Sequence, residues 1–228
     1  MTTSDPLYKA VVPVIYMGGT GGHFLSALIS RARLAIRNTD YRLSPYGNCH
    51  DTYRDLGSCG GVDTPFDQQI SRLRDHFLSP NAPGPVYYPP MHLIDHARVM
   101  DTFERAIKIT YSKSDVSSIA KIFLIKWGVE TEQWDLQDPQ KMRQNQHYFI
   151  GLLMRFLRIW EPNTDYSTRL LNISWQDLIS ADAQLLIQQI SRFTNIDETA
   201  FDQEFLQEWR ARTQLAITTE WAVDQTAK

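Results

Sequence analysis

The stretch VVPVIYMGGTGGHFLSALIS, residues 11–30, decides the fold. Residues 11–17 are apolar and rich in β-branched side chains, the pattern of a strand buried on both faces of a parallel sheet. Gly18, Gly19, Gly21 and Gly22 then stand around a single threonine, Thr20, with His23 straight after. From there Phe24, Leu25, Leu28, Ile29 and Ala32 recur at helical spacing, which predicts a helix to about Ile36. The unit is strand, glycine turn and helix. Glycines let successive backbone N–H groups point into one concavity, and the following helix adds its positive end. Together they make a site for an anion, most often phosphate or sulfate. A tight turn that needs only positive φ also takes glycine, but one or two would be enough.

The rest of the chain repeats the alternation. Residues 37–66 read as a long irregular connection, 66–78 as a helix, and SPNAPGP at 79–85 as a breaker run. A short strand is expected over 85–88, stopped by Pro89 and Pro90. AIKITY, residues 106–111, is the second clear strand, with Ser114 or Asp115 as N-cap of a helix reaching about Trp127. An amphipathic helix covers 139–160 before Pro162, and RLLNIS, residues 169–174, is a third strand. Helices follow over 182–194 and 198–214. This order implies an α/β fold in three layers, a central parallel sheet with helices on both faces. Ligands of such sheets sit beyond the carboxyl ends of the strands, where the glycine turn lies.

At 228 residues, with 43% hydrophobic and 21% charged residues, the chain suits a single globular domain over 1–228. Its formal net charge of −3 argues against a nucleic-acid partner. No apolar run approaches the roughly 20 residues that span a bilayer. The start MTTSDPLYKA does not read as a secretory signal, and Cys49 and Cys59 make no disulfide framework. The expected location is the cytoplasm. Nothing in the sequence fixes the oligomeric state, a homodimer included.

The anion is not the one held by ordinary nucleotide triphosphatases. Their loop needs Gly-Lys followed by Ser or Thr, whereas here Gly22 precedes His23 and Phe24. The dinucleotide pattern G-x-G-x-x-G is absent too, because no glycine stands three residues after Gly21. Four segments in order instead resemble the sulfotransferases that use 3′-phosphoadenosine 5′-phosphosulfate (PAPS), a family with a phosphate-loop fold. Gly21-Gly22-His23-Phe24-Leu25 is similar to the Gly-Thr-Thr-Trp-Leu of their first motif. Pro90-Met91-His92-Leu93 resembles the Thr-His-Leu segment that carries their catalytic histidine. Residues 106–121 resemble the strand, loop and helix start that bind the 3′-phosphate, with Asp115-Val116 matching an Asp-Val pair. Residues 170–196 resemble the late strand and helix, with Gln176-Asp177-Leu178 in the place of Glu-Asp-Leu.

The resemblance implies sulfuryl transfer from PAPS to a hydroxyl of a small-molecule, lipid or sugar acceptor, with no metal. It implies that Gly18, Gly19, Thr20, Gly21, Gly22, His23 and Phe24 hold the phosphosulfate, with His92 as general base and His23 beside the reacting group. Three positions depart from the family. Gly19 stands where a Lys or Arg is usual, Tyr111 where an Arg is usual, and Ile119 where a Ser is usual. Lys113, Ser114, Ser117 and Ser118 lie near enough in sequence to take over the 3′-phosphate.

Structural readings stand beside these. His92 between Met91 and Leu93 also reads as a core histidine, His23 as a plain helix-start residue, and Asp177 as the residue fixing the strand-to-helix turn. His92 and His96 stand at metal-ligand spacing, but no Glu or Cys completes a set. Cys49, His50 and Cys59 are one zinc ligand short. Trp127 and Trp134 read as packing, and Arg31, Arg33 and Arg37 as a solvated basic helix end. Two other functions remain. One is a non-catalytic nucleotide-binding relative of the same fold. The other is a UDP-sugar glycosyltransferase, since GGTGGH resembles the opening of the UDP-N-acetylglucosamine transferases. Those are longer chains with a second similar domain, which is not seen after residue 120. The acceptor pocket is expected from residues 38–90 and 128–165, which carry no readable specificity code.

Overall fold

Pro13 sets where the first strand begins. It has no N–H for a ladder, so the strand expected over 11–17 condenses to β1, Val14–Ile15. Pro13 still contributes its carbonyl, which accepts from the Ile107 N–H at 2.9 Å. The computed structural model describes residues 9–34, 43–49, 64–77, 86, 88–92, 95–129, 138–162, 165–166, 168–180 and 182–220. Within it β1 joins β2 (Pro90–Met91), β3 (Ala106–Thr110) and β4 (Leu170–Ser174). The sheet is parallel throughout, in the order β2-β1-β3-β4. Every residue of β3 is buried, Lys108 and Thr110 included.

The second strand differs from expectation. It lies at Pro90–Met91 rather than 85–88, and it includes a proline that was expected to stop it. The Val14 and Tyr16 N–H groups donate to the Pro89 and Met91 carbonyls, at 2.8 and 3.1 Å. In a parallel ladder alternate residues face the same neighbour, so the Pro90 nitrogen faces away from β1. Among the described residues β2 is the edge strand of the sheet, so the donor that Pro90 lacks meets no partner there.

Helices fill most of the intervals. They are α1 (Gly22–Leu34), α2 (Phe66–Phe77), α3 (His96–Thr102), α4 (Val116–Phe123) and α5 (Pro139–Arg155). After them come α6 (Leu157–Trp160), α7 (Trp175–Ser180), α8 (Ala183–Thr194) and α9 (Gln203–Thr218). The predicted inner face of α1, Phe24, Leu25, Leu28, Ile29 and Ala32, is buried. Aspartates cap many of the starts: Asp95, Asp138, Asp182 and Asp202 each accept a backbone N–H from the first turn of α3, α5, α8 and α9.

Several boundaries move. Asp115 stands at the N-cap of α4, one of the two positions expected, but its side chain makes no capping bond to that helix; a one-turn 3₁₀ segment at Lys113–Asp115, with Ser112 as its own N-cap, leads into it. Beyond Phe123 the helix widens into a π-turn, Leu124–Val129. The expected helix over 139–160 breaks at Phe156 into α5 and α6. Asp177 does not cap its turn either. It lies inside α7, a short helix not expected from the sequence, and its N–H donates to Ser174 Oγ at 3.0 Å. The breaker run at 79–85, Leu93, His50, Cys59 and Trp134 lie outside the described residues.

Buried apolar residues from Val11 to Ala216 form one contiguous core around the sheet. The architecture is α/β, and a parallel sheet wrapped by these helices fits three layers. Among the described residues no helix is long and apolar enough to cross a membrane.

Gly151 sits inside α5, is exposed, and has nothing within 4 Å of where a Cβ would be. Its backbone freedom weakens the helix with no packing in return. Gly151→Ala should therefore raise stability by about 0.5–1 kcal/mol, read as a higher urea midpoint at unchanged slope.

Candidate functional site

The strand order reverses at β1: the chain leaves β1 for β2 on one side, then crosses back to β3 on the other. In open parallel sheets the crevice beyond such a strand is where ligands bind. The segment leaving β1 here is Tyr16, Met17 and the glycine turn.

The turn is held from within by Thr20. Its N–H and its hydroxyl both donate to the Met17 carbonyl, at 3.0 and 2.6 Å, and its side chain is fully buried. Gly19 and Gly21 take φ of +87° and +89°, while Gly18, Thr20 and Gly22 do not have positive φ. Sign alternation of this kind is what a concavity of backbone N–H groups requires, and the Thr20 N–H, bonded to Met17, is not among the groups it could offer. The α1 helix starts at Gly22, so the N–H groups of Gly21, Gly22, His23 and Phe24 lack intrahelical partners.

Packing demands the same glycines. A Cβ at Gly18 would lie 2.5 Å from the Phe123 ring, and one at Gly19 2.7 Å from the Ile119 carbonyl oxygen. At Gly21 it would lie 2.7 Å from the Trp209 ring, and at Gly22 it would enter the ring of Tyr16. Thus α4, α9 and the end of β1 all press on the turn. The basic residue usual in the resembled family has no room at Gly19: its φ disfavours any side chain, and Ile119 blocks the Cβ.

Three aromatic side chains meet beside the turn. Tyr16 leaves β1, His92 follows β2, and His23 is the second residue of α1. Tyr16 Oη and His23 Nε2 share a short hydrogen bond, the rings edge-to-face with centroids 5.1 Å apart. The His92 ring lies 4.1 Å from that of Tyr16 on a 40° tilt. Both histidines expected at the site are therefore brought to one residue, Tyr16, for which the sequence alone indicates only a place in a strand. Its signal was position: it is the last polar-tipped side chain before the glycines.

His92 keeps some exposed surface, but its Nδ1 is sealed from solvent and has no hydrogen-bond partner among the described residues. Burial pushes its pKa down to about 4, opposed by a hydrogen bond with the Tyr16 backbone. The ring is uncharged at neutral pH.

At the carboxyl end of β3, Lys113, Ser114 and Ser117 are exposed and Ser118 is half-buried. Asp115 is buried there as a hub. One carboxylate oxygen accepts from the N–H and hydroxyl of Ser112, both at 2.7 Å, and the other from Gln176 Nε2 at 2.5 Å. This joins the turns after β3 and β4. Phe24, expected at the site, turns inward, and so do Tyr111 and Ile119, which stand where the resembled family has Arg and Ser. Phe24 is 1% exposed and stacks on Trp209 at 4.2 Å and 9°, so what it offers a ligand is its backbone N–H. Tyr111 donates to the Leu153 carbonyl at 3.0 Å, and burial pushes its phenol pKa up. Ile119 is fully buried.

No family model, curated protein or solved structure matches the chain.

Gly21→Val places a β-branched side chain at φ +89° and into Trp209. It should cost about 3 kcal/mol or more by strain and overpacking, seen as a lower urea midpoint without any ligand present. His92 carries a separate signature. The unfolded chain holds its proton below about pH 6.5 and the folded chain only below about 4, so its contribution is full above 6.5. It is lost as pH falls toward 4, by about 3 kcal/mol in all. His92→Gln should remove that part of the acid slope in melts between pH 7 and 4.

Proposed function

We propose that the chain is a sulfotransferase-like enzyme that moves a sulfuryl group from PAPS to a hydroxyl of a small-molecule, lipid or sugar acceptor. The observation that carries this reading is the glycine turn with alternating φ at the strand-order reversal, with two histidines on Tyr16 beside it. The resembling segments also converge: Asp115 of the third bonds Gln176 of the fourth, and α4 packs against the turn of the first.

PAPS supplies an already activated sulfuryl group: its sulfur–phosphate-oxygen bond breaks as a sulfur–oxygen bond to the acceptor forms, leaving 3′-phosphoadenosine 5′-phosphate. The N–H groups of Gly18, Gly19, Gly21, Gly22 and Phe24 are the residues' means of holding the phosphosulfate and the charge that builds on the departing oxygen. Thr20 keeps the turn in shape rather than touching the anion with its hydroxyl proton. Lys113, Ser117 and Ser118 are assigned to the 3′-phosphate. His92 takes the acceptor proton, for which an uncharged ring is the first condition. With a pKa near 4 it is a weak base alone, and an anion settling nearby raises its proton affinity.

A non-catalytic relative is the second reading. It is favoured by the inward-turned Tyr111 and by the lack of room for a basic side chain at Gly19.

Calorimetric titration with 3′-phosphoadenosine 5′-phosphate, with ATP and UDP-N-acetylglucosamine alongside, tests the reading. The bisphosphate should bind in the micromolar range and the others weakly. With PAPS and a hydroxyl acceptor, His92→Ala should keep that binding and lower transfer about 10²–10⁴-fold. Binding without transfer in the parent chain supports the non-catalytic relative. Binding of the sugar nucleotide alone, or of none of the ligands, sinks the sulfotransferase reading.

A further inference from the structure

We infer that Tyr16 is a positioning residue that keeps His23 uncharged with its ring proton on Nδ1, so that the glycine turn presents its anion with uncharged donors rather than a cation. The inference rests on the reading that the turn holds an anion.

The argument begins with how firmly Tyr16 is held. Its ring is 3% exposed, and the missing side chain of Gly22 is what lets it lie against the start of α1. The His92 ring covers it at 4.1 Å. A phenol held in this way cannot swing its hydroxyl away from His23 Nε2, its hydrogen-bond partner.

One proton sits in that bond, and its owner follows from ordinary acidity. The phenol is the better donor and an imidazole nitrogen the better acceptor, so with an uncharged ring Tyr16 donates and Nε2 accepts. A neutral imidazole protonates only one nitrogen, and Nδ1 is then the one that carries hydrogen. The uncharged ring is favoured by its place: His23 is the second residue of α1, at the positive end of a helix. Gly19, where the resembled family has a basic residue, has no room for one.

Ring nitrogen-15 NMR of the full chain at pH 7 tests this, with His23 assigned by comparison with His23→Gln. The expected spectrum shows His23 Nε2 as an unprotonated acceptor and Nδ1 protonated. Tyr16→Phe keeps the ring and removes only the hydroxyl. It should shift His23 toward the Nε2–H form and weaken 3′-phosphoadenosine 5′-phosphate binding about tenfold. A protonated Nε2 or a charged ring in the parent chain overturns the inference, whatever the variant does. So does an unchanged His23 tautomer in a folded Tyr16→Phe protein. If the parent shows the expected tautomer but does not bind the bisphosphate, the role of Tyr16 in setting the proton stands and the sulfotransferase reading fails.

Discussion

At four of the five positions where β1 turns into α1, all but that of Thr20, no side chain fits. Phe123 and Ile119 of α4, Trp209 of α9 and Tyr16 itself occupy the space that Cβ atoms at 18, 19, 21 and 22 would need. This close approach fixes the entry of α1 over the sheet and seats α4 and α9 against its start. Trp209 shows how far the packing is driven. It stacks on Phe24 with its indole N–H buried and unpartnered among the described residues, while the Lys126 ammonium sits 5.0 Å above its ring. Leaving that N–H unbonded costs about 1–3 kcal/mol, which the surrounding burial must offset.

The close approach also shapes the chemistry. A loop packed this tightly on one side can give a ligand only what points out of the other, namely backbone N–H groups. The side chains proposed for the site come from flanking elements instead: His23 from the first turn of α1, His92 from the end of β2, Lys113 and the serines from the segment after β3. Scaffold and donor set are thus divided between different parts of the chain.

What the sequence made legible follows range. The glycine turn, the inner face of α1 and AIKIT are local patterns, and periodicity reads them directly. Pro90 as a strand residue was not legible, because its tolerance depends on being at a sheet edge, which only the assembled strand order reveals. Asp115 is at the N-cap of α4 as local sequence suggests, yet its carboxylate bonds Ser112 and Gln176, the latter 61 residues away, instead of the first turn of the helix. Tyr16 looked like strand filler for the same reason. Its partners His23 and His92 come from two other elements, and no window around residue 16 contains His92. Phe24 carried the opposite hazard: its position matched a motif, while tertiary packing turned its side chain inward.

The proline at β2 has a consequence beyond strand placement. The outer edge of a sheet is a template that a foreign strand can extend, since its unpaired N–H and C=O groups repeat at the spacing another chain needs. On the β2 side that repeat is broken after two residues, and the outward nitrogen of Pro90 has no hydrogen to offer. A strand arriving there finds an acceptor without its matching donor. Among the described residues, the residue that made this strand hard to recognise also makes this border of the sheet a poorer template for a foreign strand.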